Sequence, residues 1–268
     1  MGWKGSCNPA DANVFSGTFD GKGHVISGLD IRLEGSIEGE KYGQVGLSSI
    51  IGSDRADDFA EVKNLIFSNV SVSVDFSNEL AAVGTLAGEV NGYARVSNVV
   101  VVSGKITVNP SKSCDTVGAG GIVGRIAQSA CGAVTRCVNT GTVQYEGNDA
   151  YGIAAAANRN AALLATVSDC YFLDTAGTSL TDGARGLSEK EMSDGTLWGG
   201  LADGGWQAVK GCYGRSEASG NTFYGNRDRY LFQQQRQFKS WGYPDSHRGR
   251  QQQQRHPLLS VVCGWHGD

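Results

Sequence analysis

Residues 83–102 have the sequence VGTLAGEVNGYARVSNVVVV, in which a small, glycine-containing strand leads through a polar break to a short apolar strand. Related segments begin near Val45, Gly120 and Tyr151, so one pattern of roughly 33–38 residues occurs four times. Self-similarity at such a period indicates one supersecondary unit that stacks on copies of itself. We therefore expect a linear array of repeats rather than a globule around one pocket.

Each copy contains two recognisable elements followed by a third short strand. The first element carries a glycine, at Gly46, Gly84, Gly120 and Gly152. The second element occurs as Val62-Lys63-Asn64-Leu65, Val96-Ser97-Asn98-Val99, Val134-Thr135-Arg136-Cys137 and Val167-Ser168-Asp169-Cys170. The third is SVSV from Ser71, KITV from Lys105 and GTVQY from Gly141. Three short strands per copy predict one coil of a parallel β-helix, whose neighbouring coils pair backbone to backbone.

The polar residue inside the second element is expected where the strand bends. Asparagine tolerates left-handed backbone geometry and bonds locally, so Asn64 and Asn98 are predicted to be corner residues. Arg136 and Asp169 occupy this position in the third and fourth copies. The small side chains Ala87, Ala119 and Ala154 are expected to let the wall turn inward without crowding. The triple alanine at 154–156 replaces a glycine that the pattern calls for in the fourth copy.

Composition agrees with an all-β chain and excludes two classes of partner. There are 39 glycines and 4 prolines, which favours short strands and tight turns over long helices. The net charge is −4 and no basic stripe runs through the repeats, so nucleic acid is not an expected partner. The apolar stretches fall far short of the ~20 residues of a membrane-spanning helix, and no such segment is expected.

The cysteines leave two alternatives open. Seven are present, without the CxxC or Cys/His spacing of a zinc site. Cys137 and Cys170 occupy the same place in successive copies, so stacking would bring them about 4.8 Å apart. That separation permits a disulfide, whose Cα atoms lie about 4.4–6.8 Å apart, and it equally suits a ladder of buried free thiols.

No catalytic, cofactor-binding or metal-ligating residue is predicted, and no cofactor is expected. The glycines of FSGTFDGKGHVISGLDI, residues 15–31, lack the strand-to-helix context and the GK[ST] of a phosphate-binding loop; a turn at Asp20-Gly21-Lys22-Gly23 accounts for them. Calcium bound by Asp115, Asp149, Asp169 and Asp174 is an alternative, but their spacing matches neither an EF-hand nor a calcium-binding nonapeptide coil.

A different pattern begins after residue 174. Ser188 is followed three residues later by Glu191, which predicts a capping box and a short helix over 188–195, with Leu187 packed on Met192. Its apolar side, with Leu197, Trp198, Leu201 and Trp206, is expected to cap the open end of the stack near residues 187–206. An aromatic binding surface is the alternative interpretation of the same residues.

Several segments together resemble the GLUG-motif repeat proteins. They are FxGTFDGKGHxIxGL at residues 15–29, the repeated glycine strand with its Val-x-Asn element, DCYFLDT at 169–175, LSEKEM at 187–192 and GGW at 204–206. The resemblance covers about residues 15–210. It implies a right-handed parallel β-helix, or solenoid, and a role as an adhesin-like stalk or passenger of bacterial surface or secreted proteins. An extracellular or cell-surface location follows from the same resemblance.

The two ends of the chain are interpreted separately. Residues 1–14 are predicted to be the truncated lead-in of a longer protein, because a repeat-like segment begins abruptly after them and no signal peptide is present. Residues 226–268 are rich in arginine and glutamine and lose the repeat pattern. A shifted reading frame with permitted codons gives Thr/Val alternation and a strand with a buried tryptophan, as in an immunoglobulin-like sandwich. We therefore predict a frame-shifted tail, with a disordered or RNA-binding arm as the alternative.

These observations predict a non-enzymatic protein. The favoured function is a structural or adhesive repeat region that contacts a host glycan or surface protein and behaves as a monomeric segment of a larger chain. The alternative is a polysaccharide lyase or glycoside hydrolase on a β-helix scaffold, which needs carboxylates clustered on one wall. An intracellular scaffold is a third hypothesis. Carboxylates about 5–10 Å apart in a groove would favour an enzyme, and a flat Ser/Thr/Asn wall would favour adhesion.

Overall fold

A computed structural model of the chain describes residues 14–35, 42–76, 80–110, 118–127, 130–145, 150–156, 165–179 and 183–194, with four short strands between 206 and 234. The described residues exclude most of the expected lead-in and nearly all of 226–268. They also exclude the side chains of the expected cap, namely Leu197, Trp198, Leu201 and Trp206. The predictions for those segments stay predictions.

The described chain is all-β, and it runs five times through the same group of sheets. The first two passes contain β1 (Val14–Phe15), β2 (Thr18–Asp20), β3 (Val25–Ser27), β4 (Asp30–Gly35), β5 (Tyr42–Val45), β6 (Ser48–Ile51), β7 (Ala60–Ser68) and β8 (Val70–Phe76). The third and fourth contain β9 (Leu80–Gly84), β10 (Ala87–Val90), β11 (Tyr93–Val101), β12 (Gly104–Pro110), β13 (Gly118–Gly120), β14 (Val123–Ile126), β15 (Cys131–Thr135), β16 (Val138–Asn139) and β17 (Thr142–Tyr145).

The fifth pass and the segments after it are shorter. They contain β18 (Ala150–Tyr151), β19 (Ala154–Ala156), β20 (Thr166–Ser168), β21 (Cys170–Leu173), a 3-10 helix (Asp174–Ala176), β22 (Ala184–Leu187), α1 (Glu189–Asp194), β23 (Trp206–Gln207), β24 (Cys212–Ser216), β25 (Asn221–Tyr224) and β26 (Leu231–Gln234). Strands β23 to β26 form an antiparallel sheet of their own. Leu231–Gln234 is the part of the predicted frame-shifted tail that the structure describes, and it is a strand.

Four parallel sheets collect the strands of successive passes. Sheet 1 has the order β5-β9-β13-β18, and sheet 2 has the order β1-β6-β10-β14-β19. In sheet 3, β2 and β3 pair with β7, followed by β11, by β15 and β16, by β20 and β21, and by β22. Sheet 4 has the order β4-β8-β12-β17. Neighbours within a sheet therefore come from consecutive passes, as in the aligned residues Val62, Val96, Val134 and Val167.

The prediction of three strands per copy is wrong, because the glycine element is two strands in two different sheets. In the second pass β5 lies in sheet 1 and β6 in sheet 2, with Gly46 and Leu47 between them. A Cβ atom on the equivalent Gly84 would lie 2.4 Å from the Ala87 carbonyl oxygen and 2.6 Å from the Gly124 nitrogen. Glycine is needed here because the backbone folds back within two residues, so the segment only resembles one continuous strand in sequence.

The alignment of the fourth copy also needs correction. Gly120 pairs with Tyr151, so Gly152 follows one residue later than the position of Gly120. In sheet 2, Ala154 pairs with Val123, and the next residue, Ala155, pairs with Arg125. The register therefore shifts by one residue at Gly124, which lies between the two partners. The triple alanine therefore has no residue that corresponds to Gly124 of the preceding pass.

The corner prediction is confirmed. Asn64, Asn98, Arg136 and Asp169 have φ angles of 55°, 54°, 53° and 54°, which place all four in the left-handed region. They recur at the bend of sheet 3, where the strand changes direction between its two halves. A sequence position that is polar within an apolar element therefore marks a backbone requirement.

Cys137 and Cys170 belong to an interior row that the structure shows as free thiols. Leu65 pairs with Val99, and the flanking pairs place Cys137 and then Cys170 next in the same row. All four side chains are buried, and both cysteines are free. Burial raises the pKa of the Cys170 thiol well above its usual value, and the neighbouring Cys137 adds to this. Of the two alternatives, the structure has the thiol ladder.

The capping box at the start of α1 is confirmed. The Ser188 hydroxyl donates to Glu191 Oε2 at 2.8 Å, and the Ser188 backbone N–H donates to the same oxygen at 2.9 Å. The Glu191 backbone N–H donates back to Ser188 Oγ at 3.3 Å. Leu187 and Met192 are both buried in the main apolar core, so the start of α1 is fixed by polar and apolar contacts together.

Candidate functional site

The outer face of sheet 4 carries aligned rows of polar side chains. Residues alternate along each strand: Val72 and Val74 of β8 are buried, whereas the intervening Ser73 is half-buried and Ser71 and Asp75 are exposed. Because the four strands are in register, the outward side chains form rows across the passes. These rows are Asp30, Ser71, Lys105 and Thr142; Arg32, Ser73, Thr107 and Gln144; and Glu34, Asp75 and Asn109.

Hydroxyl, amide and charged groups are thus presented at regular spacing on this face. Arg32 and Asp30 form an exposed ion pair with a 3.3 Å separation. Asn109 Nδ2 donates to Asp75 Oδ1 at 2.8 Å. Such a surface can donate and accept hydrogen bonds over several passes at once, and its strand spacing of about 4.8 Å sets the interval between neighbouring groups.

Two carboxylates are neighbours on the same face. Glu34 and Asp75 are aligned partners on β4 and β8, and both are exposed. A glycoside hydrolase needs a pair of carboxylates on either side of the scissile bond. These two lie on the exposed face of a continuous sheet, with Asp75 engaged by the Asn109 amide.

The outer side of sheet 3 carries an aromatic cluster. The rings of Phe59 and Tyr93 meet edge to face with centroids 5.4 Å apart. The Arg95 guanidinium lies 4.0 Å over the Phe59 ring, in cation–π geometry. Phe59 and Tyr93 are half-buried, so part of each ring is covered by the sheet and its neighbours.

A ladder of polar side chains runs along the corner of sheet 3, and we name Asp20, Asn64, Asn98 and Arg136 the corner ladder. Asn64 Nδ2 donates to Asp20 Oδ1 at 3.0 Å. Asn98 Nδ2 donates to Asn64 Oδ1 at 3.0 Å, and Arg136 Nε donates to Asn98 Oδ1 at 3.2 Å. Asn64 and Asn98, which were predicted only as corner residues, are therefore bonded to each other and to the neighbouring passes.

The surroundings of Asp20, at one end of the corner ladder, favour the ionised form of its carboxyl group. The Asn64 amide lowers the pKa of Asp20, the backbone N–H of Lys22 lowers it further, and the ammonium groups of Lys63 and Lys22 act in the same direction. A carboxyl whose folded pKa is depressed contributes stability above its unfolded pKa, and this stability is lost as pH falls through the folded pKa. Because Asp20 is exposed, solvent screening keeps this contribution small.

Replacement of Asn98 by alanine is expected to lower the free energy of unfolding by about 2–3 kcal/mol, as it forces alanine into the left-handed region and removes two hydrogen bonds. Replacement by glycine keeps the backbone and removes only the bonds, so a loss of about 1 kcal/mol is expected. Urea unfolding followed by circular dichroism measures both.

Asn109→Ala is the control for the Asn98 variants. Asn109 makes an exposed side-chain hydrogen bond and has an ordinary negative φ, so a change below about 1 kcal/mol is expected. Equal losses for Asn98→Ala and Asn98→Gly would show that the left-handed backbone has no part in the effect.

The structure describes two of the four aspartates of the calcium alternative. Asp169 holds the corner conformation, and Asp174 begins the 3-10 helix. Asp115 and Asp149 lie outside the described residues. Within the ranges that the structure describes, no group of three or more His, Cys, Asp or Glu side chains is placed to hold a metal ion.

Sequence reasoning missed a buried charged network between sheets 1 and 2. The Arg125 side chain contacts Glu89 Oε2 through Nη2 at 2.5 Å and Nε at 2.6 Å, and the two side chains are 12% and 1% exposed. Asn91 Nδ2 donates to Glu89 Oε1 at 2.9 Å, and Gln44 Nε2 approaches Oε2 at 3.5 Å. Glu89 and Arg125 are aligned partners on β10 and β14, but nothing within either copy marks its charged residue as buried.

Comparisons with known proteins give no match. No protein-family model, no curated protein and no solved structure matches the chain. Among the described residues, no helix combines the length and the apolar character needed to cross a membrane.

Proposed function

We propose that this chain is a non-catalytic structural and adhesive repeat region of a bacterial surface or secreted protein, similar to the GLUG-motif proteins. The outer face of sheet 4 is its contact surface for a glycan or a surface protein. The observation that carries the proposal is the in-register display of Ser73 and Thr107 beside further hydroxyl, amide and charged groups. Groups repeated over several passes suit a repetitive or extended partner, because weak contacts then add up.

We further infer that the passes are coils of a right-handed parallel β-helix with α1 as a short C-terminal cap. Two features support this inference. In the described residues, the second, third and fourth passes each add a parallel row to all four sheets, and the first and fifth each add a row to three of them, as stacked coils would. Leu187 and Met192, on either side of the start of α1, are buried in the same core as the valine rows.

This proposal places the protein outside the cell or on its surface, where an exposed polar wall meets its partner directly. The chain then acts as a monomeric segment of a longer protein, and the stacked passes hold the contact surface at a distance from the anchoring structure. Free Cys137 and Cys170 are compatible with that setting because both thiols are buried.

The double variant Ser73→Ala/Thr107→Ala is expected to weaken glycan or surface-protein binding about tenfold, since two hydrogen bonds at the centre of the wall are lost. Glycan-array screening identifies a ligand, and calorimetry or surface plasmon resonance then measures the dissociation constant. The fold should be retained, because both side chains point outward from sheet 4.

Ser97→Ala/Thr135→Ala is the matched control. These residues are also an in-register Ser/Thr pair and half-buried, but they lie on sheet 3. Equal weakening by both double variants would contradict a contact surface on sheet 4. Release of sugar fragments from uronate polymers that is abolished by Asp75→Asn would establish the lyase or hydrolase alternative in its place.

A further inference from the structure

The three hydrogen bonds of the corner ladder all have the same direction. In each bond the donor belongs to the later pass and the acceptor to the earlier one: Asn64 to Asp20, Asn98 to Asn64, and Arg136 to Asn98. A side-chain amide can donate from one end and accept at the other. The two asparagines therefore have aligned dipoles, with a carboxylate at one end of the series and a guanidinium at the other.

The chemistry of the two ends requires this direction. An ionised aspartate only accepts hydrogen bonds, so Asn64 must turn its nitrogen to Asp20 and its oxygen to Asn98. Arginine only donates, so Asn98 must turn its oxygen to Arg136 and its nitrogen to Asn64. Either end alone fixes both amides, and the two ends agree.

We propose that the corner ladder is one polarised hydrogen-bond chain, and that Asp20 and Arg136 together set its direction and thereby hold four successive passes in order and in register. The apolar rows cannot supply this information. Val62, Val96 and Val134 occupy equivalent positions, so a pass that paired with the wrong neighbour would bury much the same side chains. The charged ends differ, and they distinguish the first pass from the fourth.

Direct attraction between the two ends is weak. Asp20 and Arg136 are three strand spacings apart, about 14 Å, which exceeds the screening length of about 8 Å at physiological salt. The charged groups near Asp20 are Lys22 and Lys63, and Lys63 pairs with Glu61 at 2.6 Å. Any coupling between Asp20 and Arg136 that persists in salt therefore passes through the two amides.

The first test gives the corner ladder a hydrogen-bond acceptor at both of its ends. In Arg136→Glu, acceptors stand at both ends, so one hydrogen bond of the chain must be lost. Its urea midpoint is expected to lie below that of Arg136→Gln, whose side chain can still donate. Adding Asp20→Asn to Arg136→Glu supplies a donor at the first pass. Both amides then flip, and part of the difference in midpoint between Arg136→Glu and Arg136→Gln is recovered. Recovery is incomplete because the Lys22 backbone N–H donates to the same Asp20 oxygen as Asn64 and loses this acceptor.

Asp57→Asn is the matched control, because it removes the same charge from an exposed aspartate outside the ladder. In about 1 M salt, charges more than about 3 Å apart are largely screened. Adding Asp57→Asn to Arg136→Glu should then recover none of the difference in urea midpoint. Equal recovery by Asp57→Asn and Asp20→Asn, or none by Asp20→Asn, overturns the proposal.

A second measurement uses the unmodified protein and so does not depend on how the variants fold. Titration of Asp20 is followed through the side-chain amide resonances of Asn64 and Asn98. Movement of both amides at the same midpoint supports one chain. Movement of Asn64 alone overturns it.

Discussion

Replacement of Arg125 by methionine is expected to lower the free energy of unfolding by about 3–5 kcal/mol, because it leaves the Glu89 carboxylate buried without its partner. The Glu89 side chain is 1% exposed, so water cannot replace the guanidinium. The Asn91 amide still donates to Oε1, but Oε2 loses both of its arginine donors. Urea unfolding followed by circular dichroism measures the loss.

The double variant Glu89→Leu/Arg125→Met separates the value of the pair from the cost of breaking it. Both charges are then absent, and apolar side chains fill the space between sheets 1 and 2. Replacing a buried ion pair by apolar residues is often neutral or stabilising, so the double variant is expected to recover most of the stability. A double variant as unstable as Arg125→Met would instead indicate that the polar network itself specifies the packing of these sheets.

Arg55→Met provides the control for an arginine in an ion pair. Arg55 contacts Asp57 at 3.0 Å, but the two side chains are 65% and 74% exposed. Water screens both charges of an exposed pair, so only a small change is expected. A loss as large as that of Arg125→Met would show that burial does not explain the effect at Glu89.

The sequence predicted those features whose signal lies within one copy. The polar residue in Val96-Ser97-Asn98-Val99 interrupts an apolar strand, and only a special backbone conformation explains why it recurs; the φ of Asn98 is 54°. The Ser188 and Glu191 pair is likewise local, because a capping box spans one helical turn. The position of Cys137 above Cys170 followed from the repeat alone.

Features that depend on two sheets meeting were not predicted. In VGTLAGEV the glycines looked like parts of one strand, since sequence alone does not show where a backbone folds back on itself. Glu89 follows an apolar stretch and its partner Arg125 lies in the next copy, with Gln44 contributed from another sheet. A charge is buried only when its partner arrives from elsewhere in the fold, so no pattern within one copy reveals it.

Replacement of Gly124 by alanine is expected to lower the free energy of unfolding by about 3 kcal/mol, at the upper end of overpacking effects. The added Cβ atom would lie 2.3 Å from the Val83 nitrogen, 2.5 Å from the Gly88 oxygen and 2.6 Å from the Ala82 carbonyl carbon. All three are backbone atoms, so no side-chain rotation relieves the contact. Sheets 1 and 2 must move apart, which also disturbs the Glu89 and Arg125 contact beside them.

Two further glycines separate lack of space from backbone strain. A Cβ atom at Gly28 meets nothing within 4 Å, but its φ of 71° is unfavourable for alanine, so Gly28→Ala is expected to cost about 1–2 kcal/mol. At Gly17 the nearest atom is 3.8 Å away and the residue is exposed, so Gly17→Ala should change stability by less than about 0.5 kcal/mol. We therefore expect the loss of unfolding free energy to be largest for Gly124→Ala, smaller for Gly28→Ala and smallest for Gly17→Ala. This order tests whether the recurring glycines are explained by the close approach of the two sheets rather than by the flexibility of glycine. A loss at Gly28 that equals or exceeds the loss at Gly124 would contradict it.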